Sequence, residues 1–201
     1  MHRRSFLAAA VVGVAALAGC GPRWRVITQA NPDPFVGQRH FAVMPVDYTG
    51  LLVGGKPESV YLDDKDQQGQ ISFFGDKAAI GEEFAKALIE GAKEEGIEVE
   101  ATPGPMSAPF LIRPYIGYLE PGYYAVVSSA PSELRLTLRI TAPDGRVLDE
   151  VQLSSRTQPP NPSTMLGLAE SEKLSSGGRW RADARVVGAL AADYLASRVD
   201  P

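Results

Sequence analysis

Leu134-Arg135-Leu136-Thr137-Leu138-Arg139-Ile140-Thr141 alternates apolar and polar residues without a break. This period of two is typical of a β-strand that buries one face and exposes the other. Pro143-Asp144-Gly145 follows with residues that favour a tight turn, and residues 147–154 return as a second strand. The sequence therefore predicts an antiparallel hairpin over residues 134–154.

Two amphipathic helices are predicted on either side of this hairpin. In residues 77–95 the apolar side chains recur at helical spacing, with Asp76 as the N-cap and Gly96 after the last turn. Residues 181–198 show the same spacing. The residues predicted to share a buried face are Ile80, Phe84, Ala87, Leu88 and Gly91 in the first helix, and Val187, Leu190, Ala191, Tyr194 and Leu195 in the second.

Shorter apolar runs predict further strands at residues 41–46, 97–100 and 110–118, and weaker ones at 60–62 and 71–74. Pro114 places its strand at a sheet edge or a bulge, because proline cannot donate a hydrogen bond to the ladder. Strands and helices in this order predict an α+β fold. In it, two main helices pack on a mostly antiparallel sheet to give two layers.

The first twenty residues have the pattern of a lipoprotein leader. His2, Arg3 and Arg4 form a basic start, and residues 6–17 form an apolar run that is too short to span a bilayer. Leu17-Ala18-Gly19-Cys20 then has the form of a lipobox. We therefore expect residues 1–19 to be a signal peptide and Cys20 to carry the lipid that anchors the chain to a membrane.

Residues near the lipobox indicate the export route and the membrane in which the lipidated protein is expected to reside. Arg3 and Arg4 ahead of Phe6 fit a twin-arginine signal, but they fit equally a general secretory signal with two arginines, and the sequence leaves both open. Gly21 in place of aspartate favours the outer membrane, with the protein facing the periplasm. Residues 20–39 predict a lipidated tether, and residues 40–201 predict one periplasmic domain.

Composition excludes several classes of partner. The chain has 20 basic and 24 acidic residues, and loss of Arg3 and Arg4 with the leader leaves 18 basic residues and a net charge of −6. Such a chain is not expected to bind nucleic acid. Cys20 is the only cysteine, so no disulfide can form within the chain.

No catalytic residues, metal site or cofactor motif are predicted. Residues 64–71 resemble the start of a calcium-binding loop, but its twelfth position is Gly75 instead of glutamate. His40 is the single histidine after the leader, so a zinc site would depend on carboxylates, and no serine motif offers it a catalytic role. We therefore expect a protein that is not an enzyme.

Aromatic residues supply the candidate contact surface. An aromatic run contains Tyr115, Tyr118, Tyr123 and Tyr124 together with Pro114 and Pro121, and Trp180 stands between two arginines. Tyrosine and tryptophan are favoured at protein interfaces because they bury a large area and keep a polar tip. The alternative is that these side chains pack in the core, with Trp180 covering the sheet at the start of the last helix.

The order of motifs over residues 40–199 resembles that of small Gram-negative envelope lipoproteins of unknown function. It begins with Phe41-Ala42-Val43-Met44-Pro45-Val46, continues with a helix ending in Gly96-Ile97-Glu98-Val99, and closes with a hairpin at Pro143-Asp144-Gly145-Arg146 and an alanine-rich helix. Their α/β domain is similar to that of penicillin-binding-protein activator and curli-secretion lipoproteins. The resemblance implies a non-enzymatic domain that binds or positions another envelope protein. The alternative is a periplasmic carrier of a small hydrophobic or sugar-like ligand.

Overall fold

The computed structural model describes residues 24–102, 108–125, 128–160 and 172–201, so Arg3, Arg4 and Cys20 lie outside the described residues. The strands are β1 (Trp24–Thr28), β2 (His40–Val43), β3 (Leu52–Val53), β4 (Lys56–Pro57), β5 (Glu98–Ala101), β6 (Leu111–Glu120), β7 (Tyr123–Ala125), β8 (Ser128–Ala130), β9 (Glu133–Thr141) and β10 (Val147–Ser155). The helices are α1 (Glu58–Asp63), α2 (Gln67–Glu94) and α3 (Ser176–Val199).

The main sheet has the strand order β1-β10-β9-β6-β2-β5. The strands from β1 to β6 in this order pair antiparallel, whereas β2 pairs parallel with both β6 and β5. Helices α2 and α3 contact each other closely and cover one face of the sheet. The predicted α+β fold with two main helices is confirmed. The parallel pairing of β2 is a feature that the alternation pattern did not indicate.

The predicted hairpin forms the antiparallel centre of the sheet. Leu138 stands opposite Val151 and Leu136 opposite Leu153, and all four side chains are buried on the helix side. The turn closes through Gly145, whose φ of 85° lies in the left-handed region that glycine adopts without strain. The sequence pattern therefore predicted both the pairing and the buried face of this hairpin.

Pro114 does not lie in an edge strand, because β6 runs inside the sheet between β9 and β2. The amide of Met44 donates to the carbonyl of Ile112, and that of Asp47 donates to the carbonyl of Pro114. Between Met44 and Asp47 the chain leaves the ladder, since β2 ends at Val43. The nitrogen of Pro114 faces this interruption, so its missing hydrogen falls beyond the end of β2 and breaks no pairing within that strand.

Residues 60–62 and 71–74 are helical, so their prediction as strands was wrong. Residues 60–62 lie in α1, and α2 already begins at Gln67, where Asp66 accepts a hydrogen bond from the Gly69 amide at 2.8 Å. Asp66 is thus the N-cap, and Asp76, which was predicted to cap, lies in the third turn. The local run of apolar residues favoured a strand, but the buried positions Phe73, Ile80, Phe84 and Leu88 follow one helical stripe.

Small residues let α2 and α3 approach closely. A Cβ atom on Gly188 would lie 2.6 Å from the Phe84 carbonyl oxygen, and one on Gly91 would lie 2.8 Å from the Cβ of Ala192. Large side chains fill the space between these helices and the sheet. The largest fully buried ones are Phe35, Phe41, Phe84, Arg179, Trp180 and Tyr194.

Part of the predicted tether belongs to the folded domain. Residues 24–28 form β1, which pairs with β10 at the edge of the sheet, and the Trp24 ring packs edge-on against Tyr194 at 5.5 Å between centroids. Further along, the Ala30 amide donates to the buried carboxylate of Asp149 at 2.8 Å. The partners of residues 24–30 lie far away in the chain. The local sequence therefore shows no periodicity from which this strand could be predicted.

Candidate functional site

The face of the sheet opposite the helices carries polar and aromatic side chains. These side chains project from β6, β9, β10 and β1, and we call this surface the open face. Its members are Arg113, Tyr115 and Tyr118 from β6, Arg135, Thr137 and Arg139 from β9, Glu150 and Gln152 from β10, and Arg25 from β1. They are half-buried or exposed, whereas residues that alternate with them in β6, β9 and β10, such as Pro114, Ile116, Leu136, Leu138, Val151 and Leu153, are buried.

A bulge at Gly117 brings Tyr118 onto the open face. Tyr115 stands opposite Thr137, but the register then shifts so that Tyr118 stands opposite Arg135. Without this extra residue, Tyr118 would point to the helix side, because side chains alternate along a strand. A Cβ on residue 117 would lie 2.8 Å from the Tyr115 hydroxyl, so glycine leaves room for that ring.

Two arginine–tyrosine stacks run across β6 and β9. The Arg135 guanidinium lies 4.5 Å from the centre of the Tyr118 ring, and that of Arg139 lies 5.7 Å from the Tyr115 ring. The Tyr118 hydroxyl donates to Glu120 at 2.8 Å. Burial and this bond to a carboxylate raise the pKa of Tyr118, so it remains a neutral donor. The stacks hold long side chains in place before any partner arrives.

The arginines of the open face differ in their ion pairs. Arg139 pairs with Glu150 at 3.2 Å, and Arg135 donates to Glu133. Burial raises the pKa of Glu133, but the bonds from Arg135 and Arg156 outweigh it and lower the pKa overall. Arg113 donates only to the Thr141 hydroxyl, at 3.3 Å. Within the described ranges, Arg113 has no carboxylate partner, so its charge is available to a bound molecule.

The structure divides the predicted contact residues into three groups. Tyr115 and Tyr118 lie together on the open face. Tyr123 and Tyr124 lie on β7, which forms a separate small sheet with β8, and 53% of the Tyr123 surface is exposed. Trp180 is 1% exposed, so its prediction as a contact residue was wrong.

Trp180 has the packing role that was its alternative interpretation. Its Nε1 donates to the Glu120 carbonyl at 2.7 Å, and its ring packs edge-on against Phe73 with centroids 6.1 Å apart. The indole thereby joins the start of α3 to the end of β6 and to α2. The flanking arginines suggested exposure, but Arg179 is itself buried and donates to the Pro121 carbonyl at 2.8 Å.

Sequence reasoning did not select Arg113, Arg135 and Arg139 as site residues. The signal was present, because Arg135 and Arg139 occupy the exposed positions of the strongest alternating strand. Their combination with Tyr115 and Tyr118 depends on the pairing of β6 with β9, which the sequence does not specify.

A groove opens on the opposite side, between the end of β2 and α2. Its volume is about 440 Å³, and its walls are mostly apolar. The Tyr48 hydroxyl donates to the Lys77 carbonyl at 2.9 Å, and the Lys77 ammonium pairs with Glu58 at 2.7 Å. Burial and the nearby Glu58 charge raise the pKa of Tyr48. The other lining residues are Val43, Met44, Pro45, Val46, Ala78, Gly81, Glu82, Ala85, Ala101 and Thr102.

The stretch that resembles a calcium-binding loop connects two helices. Asp64 pairs with Lys56 at 2.7 Å, and Asp66 caps α2. The hydrogen bond and charge of Lys56 lower the pKa of Asp64. From Gln67 onward the residues are helical. The later positions of the motif that resembles a calcium-binding loop therefore lie in α2 and do not have the conformation of a loop.

Among the described residues, no helix has the length and apolar character needed to cross a membrane. No protein-family model matches the chain, and no curated protein matches it.

The solved structures that are similar in fold at low identity include two of PelC and one of a hypothetical protein. PelC from Paraburkholderia phytofirmans, a dodecamer, is 10% identical over 81% of this chain and 89% of that chain, with a TM-score of 0.43. A variant PelC dodecamer from the same organism is 11% identical over 84% and 95%, with a TM-score of 0.40. A hypothetical protein from Chlamydia trachomatis is 14% identical over 78% and 96%, with a TM-score of 0.42. These values are too low to assign a function or to transfer any functional residue.

Proposed function

We propose that this chain is a lipid-anchored outer-membrane protein whose periplasmic domain binds another envelope protein through the open face. The observation that supports this is the row of arginine–tyrosine stacks on the side of the sheet that α2 and α3 do not cover. Arginine and tyrosine are enriched at interfaces and among the residues that contribute most binding energy. In this proposal the protein is not an enzyme and needs no cofactor or metal for this role.

The partner's surface is expected to be acidic. Arg113 and Arg25 extend from the open face, and neither has a carboxylate partner among the residues that the structure describes. A partner carboxylate facing Arg113 would form a charge-assisted hydrogen bond, which is stronger than a bond between neutral groups. Because stacking already orders Arg135 and Arg139, their contacts would cost less conformational entropy than those of free side chains.

The lipid on Cys20 would hold the domain close to the bilayer. Trp24 lies four positions after Cys20, and an extended chain spans at most about 3.5 Å per residue. The start of β1 is therefore within about 14 Å of the anchor. A partner reached in this way would itself lie at the periplasmic surface of the outer membrane.

Cross-linking and affinity capture from intact envelopes test the proposal. The full lipidated protein is expected to capture one partner in stoichiometric amount, and Arg113→Glu or Tyr118→Ala is expected to lose it. Lys86→Glu is the matched control, because Lys86 is exposed on α2, away from the open face. Capture that survives both open-face variants would overturn the choice of surface.

Two further variants test how the lipid anchor and the β7–β8 hairpin contribute to partner capture. Cys20→Ala is expected to reduce capture by removing the anchor. Tyr123→Ala together with Tyr124→Ala tests whether the β7–β8 hairpin extends the interface. If this double variant alone abolishes capture, the contact surface is the hairpin instead of the open face.

The groove beside α2 favours a second candidate function, the carriage of a small apolar ligand. Its volume of about 440 Å³ lies within the range of small-molecule sites. A ligand that co-purifies with the wild type but not with Gly81→Leu, which would fill the groove, supports this function. An empty wild-type protein in native mass spectrometry contradicts it.

A further inference from the structure

The neighbouring strands β2 and β5 bring one histidine and two glutamates together. In their parallel register, His40 stands opposite Glu98, and Ala42 stands opposite Glu100. The His40 Nε2 lies 3.0 Å from Glu100 Oε1, and its Nδ1 lies 3.9 Å from Glu98 Oε2. One ligand atom from each of the three residues lies within 4.8 Å of the others. Two hydrogen-bonded strands thus hold three metal-binding side chains at one place.

The charge at this place is incompletely balanced. Within the described ranges, neither Glu98 nor Glu100 pairs with a lysine or an arginine; His40 is their partner. The neighbouring cation, Arg39, is directed elsewhere, since it pairs with Asp200 at 2.8 Å and donates to the Glu95 carbonyl at 3.2 Å. Two carboxylates beside a single imidazole offer a divalent cation the charge that it requires.

The donor set selects the class of metal. An imidazole nitrogen with carboxylate oxygens suits zinc and neighbouring transition metals, whereas magnesium and calcium prefer oxygen alone. A tetrahedral zinc ion with bonds of about 2.0 Å has its ligand atoms about 3.3 Å apart. The His40 Nε2 and Glu100 Oε1 atoms, 3.0 Å apart, already have nearly this spacing. One zinc ion binds a single imidazole nitrogen, and Glu98 faces the other one, Nδ1. Glu98 must therefore rotate to reach an ion held by Nε2 and Glu100, and 68% of its side chain is exposed.

We propose that His40, Glu98 and Glu100 form a binding site for one zinc ion, with water completing the coordination. The site is distinct from the arginine–tyrosine stacks and does not depend on the proposed binding of a partner. Counting histidines along the sequence missed it, because both carboxylates come from a strand about sixty residues away in the chain. The bound ion would link the edge strand β5 to β2.

Isothermal titration of the untagged full chain with zinc chloride, after treatment with a chelator, tests the site. One zinc ion per chain is expected, together with a rise in the melting temperature. His40→Ala and Glu100→Gln are each expected to weaken zinc binding at least tenfold. Glu95→Gln is the matched control, because Glu95 is also exposed but lies outside the cluster. A tenfold excess of magnesium is expected not to displace the zinc.

Two outcomes would overturn the proposal. One is the absence of saturable zinc binding by a wild-type protein that is shown by circular dichroism to be folded. The other is equal binding by the wild type and His40→Ala, which would place the zinc elsewhere on the chain. Because His40 and Glu100 are both partly exposed, these variants are expected to fold, and Glu100→Gln tests the site independently if His40→Ala does not.

Discussion

The two faces of the central sheet differ in burial and in chemistry, although they are built from the same strands. On the helix side, Leu136 and Leu138 are buried against α2 and α3. On the open face, the flanking Arg135 and Arg139 stack on tyrosines of β6 and remain partly exposed. Residues one position apart therefore serve stability on one side and, in our proposal, the binding of a partner on the other. Substitutions of neighbouring residues can separate the two roles.

The largest expected effect is the loss of a buried side chain on the helix side. Leu136→Ala should lower the free energy of unfolding by about 2–5 kcal/mol, because it removes apolar contacts and leaves a cavity. The neighbouring Thr137→Ala, on the open face, should cost less than about 1 kcal/mol. Urea denaturation of both variants measures the difference. Equal losses would contradict the separation of the two faces.

The next largest loss of stability is expected when a buried carboxylate is removed. Asp183 is fully buried and accepts hydrogen bonds from Ser132, Ser155 and Thr157 at 2.7–2.8 Å. Asp183→Ala would leave these hydroxyls without their acceptor and should cost about 1–3 kcal/mol. Asp183→Asn keeps one acceptor oxygen and offers a donor to Ser132, so it should cost clearly less. Chemical denaturation at neutral pH compares the two variants, and an equal cost would contradict the role of these hydrogen bonds.

The carboxylate of Asp183 is also expected to make the stability of the protein depend on pH, by a smaller amount. Burial raises the pKa of Asp183, although its hydroxyl partners oppose this. As pH rises through the ordinary aspartate pKa, the unfolded chain ionises first, so the wild type loses stability relative to Asp183→Asn. The difference should grow from about pH 3 upward and become constant above the pKa of the folded protein. Parallel denaturation curves across this range measure it, and a difference of opposite sign would contradict the prediction.

The smallest effect on stability is expected on the open face. Arg139→Ala removes a partly exposed ion pair with Glu150 and a stack on Tyr115, and should cost less than about 1 kcal/mol. If the open face binds a partner, the same variant should reduce capture far more than it reduces stability. A melting temperature measured beside each capture experiment separates the two effects. A large loss of stability would place Arg139 among the structural residues.

Local patterns predicted the elements whose partners are close in sequence. The β9–β10 hairpin followed from strict alternation around a turn, and α3 followed from helical spacing of apolar residues. The start of α2 was misjudged because Ile71, Phe73 and Phe74 favour strands locally. Their helical state depends on the cap at Asp66 and on the burial of Phe73 beside Trp180.

By itself, the sequence determined the α+β class, the central hairpin and the alternation that gives the sheet one apolar and one polar face. These depend on periodicity and turn chemistry, which act over a few residues. The tertiary structure alone decided that Tyr115 and Tyr118 stack with arginines, that Trp180 is buried and that His40 meets Glu98 and Glu100. Those outcomes depend on which strands pair and in which register, and that choice is set by contacts between residues far apart in the chain.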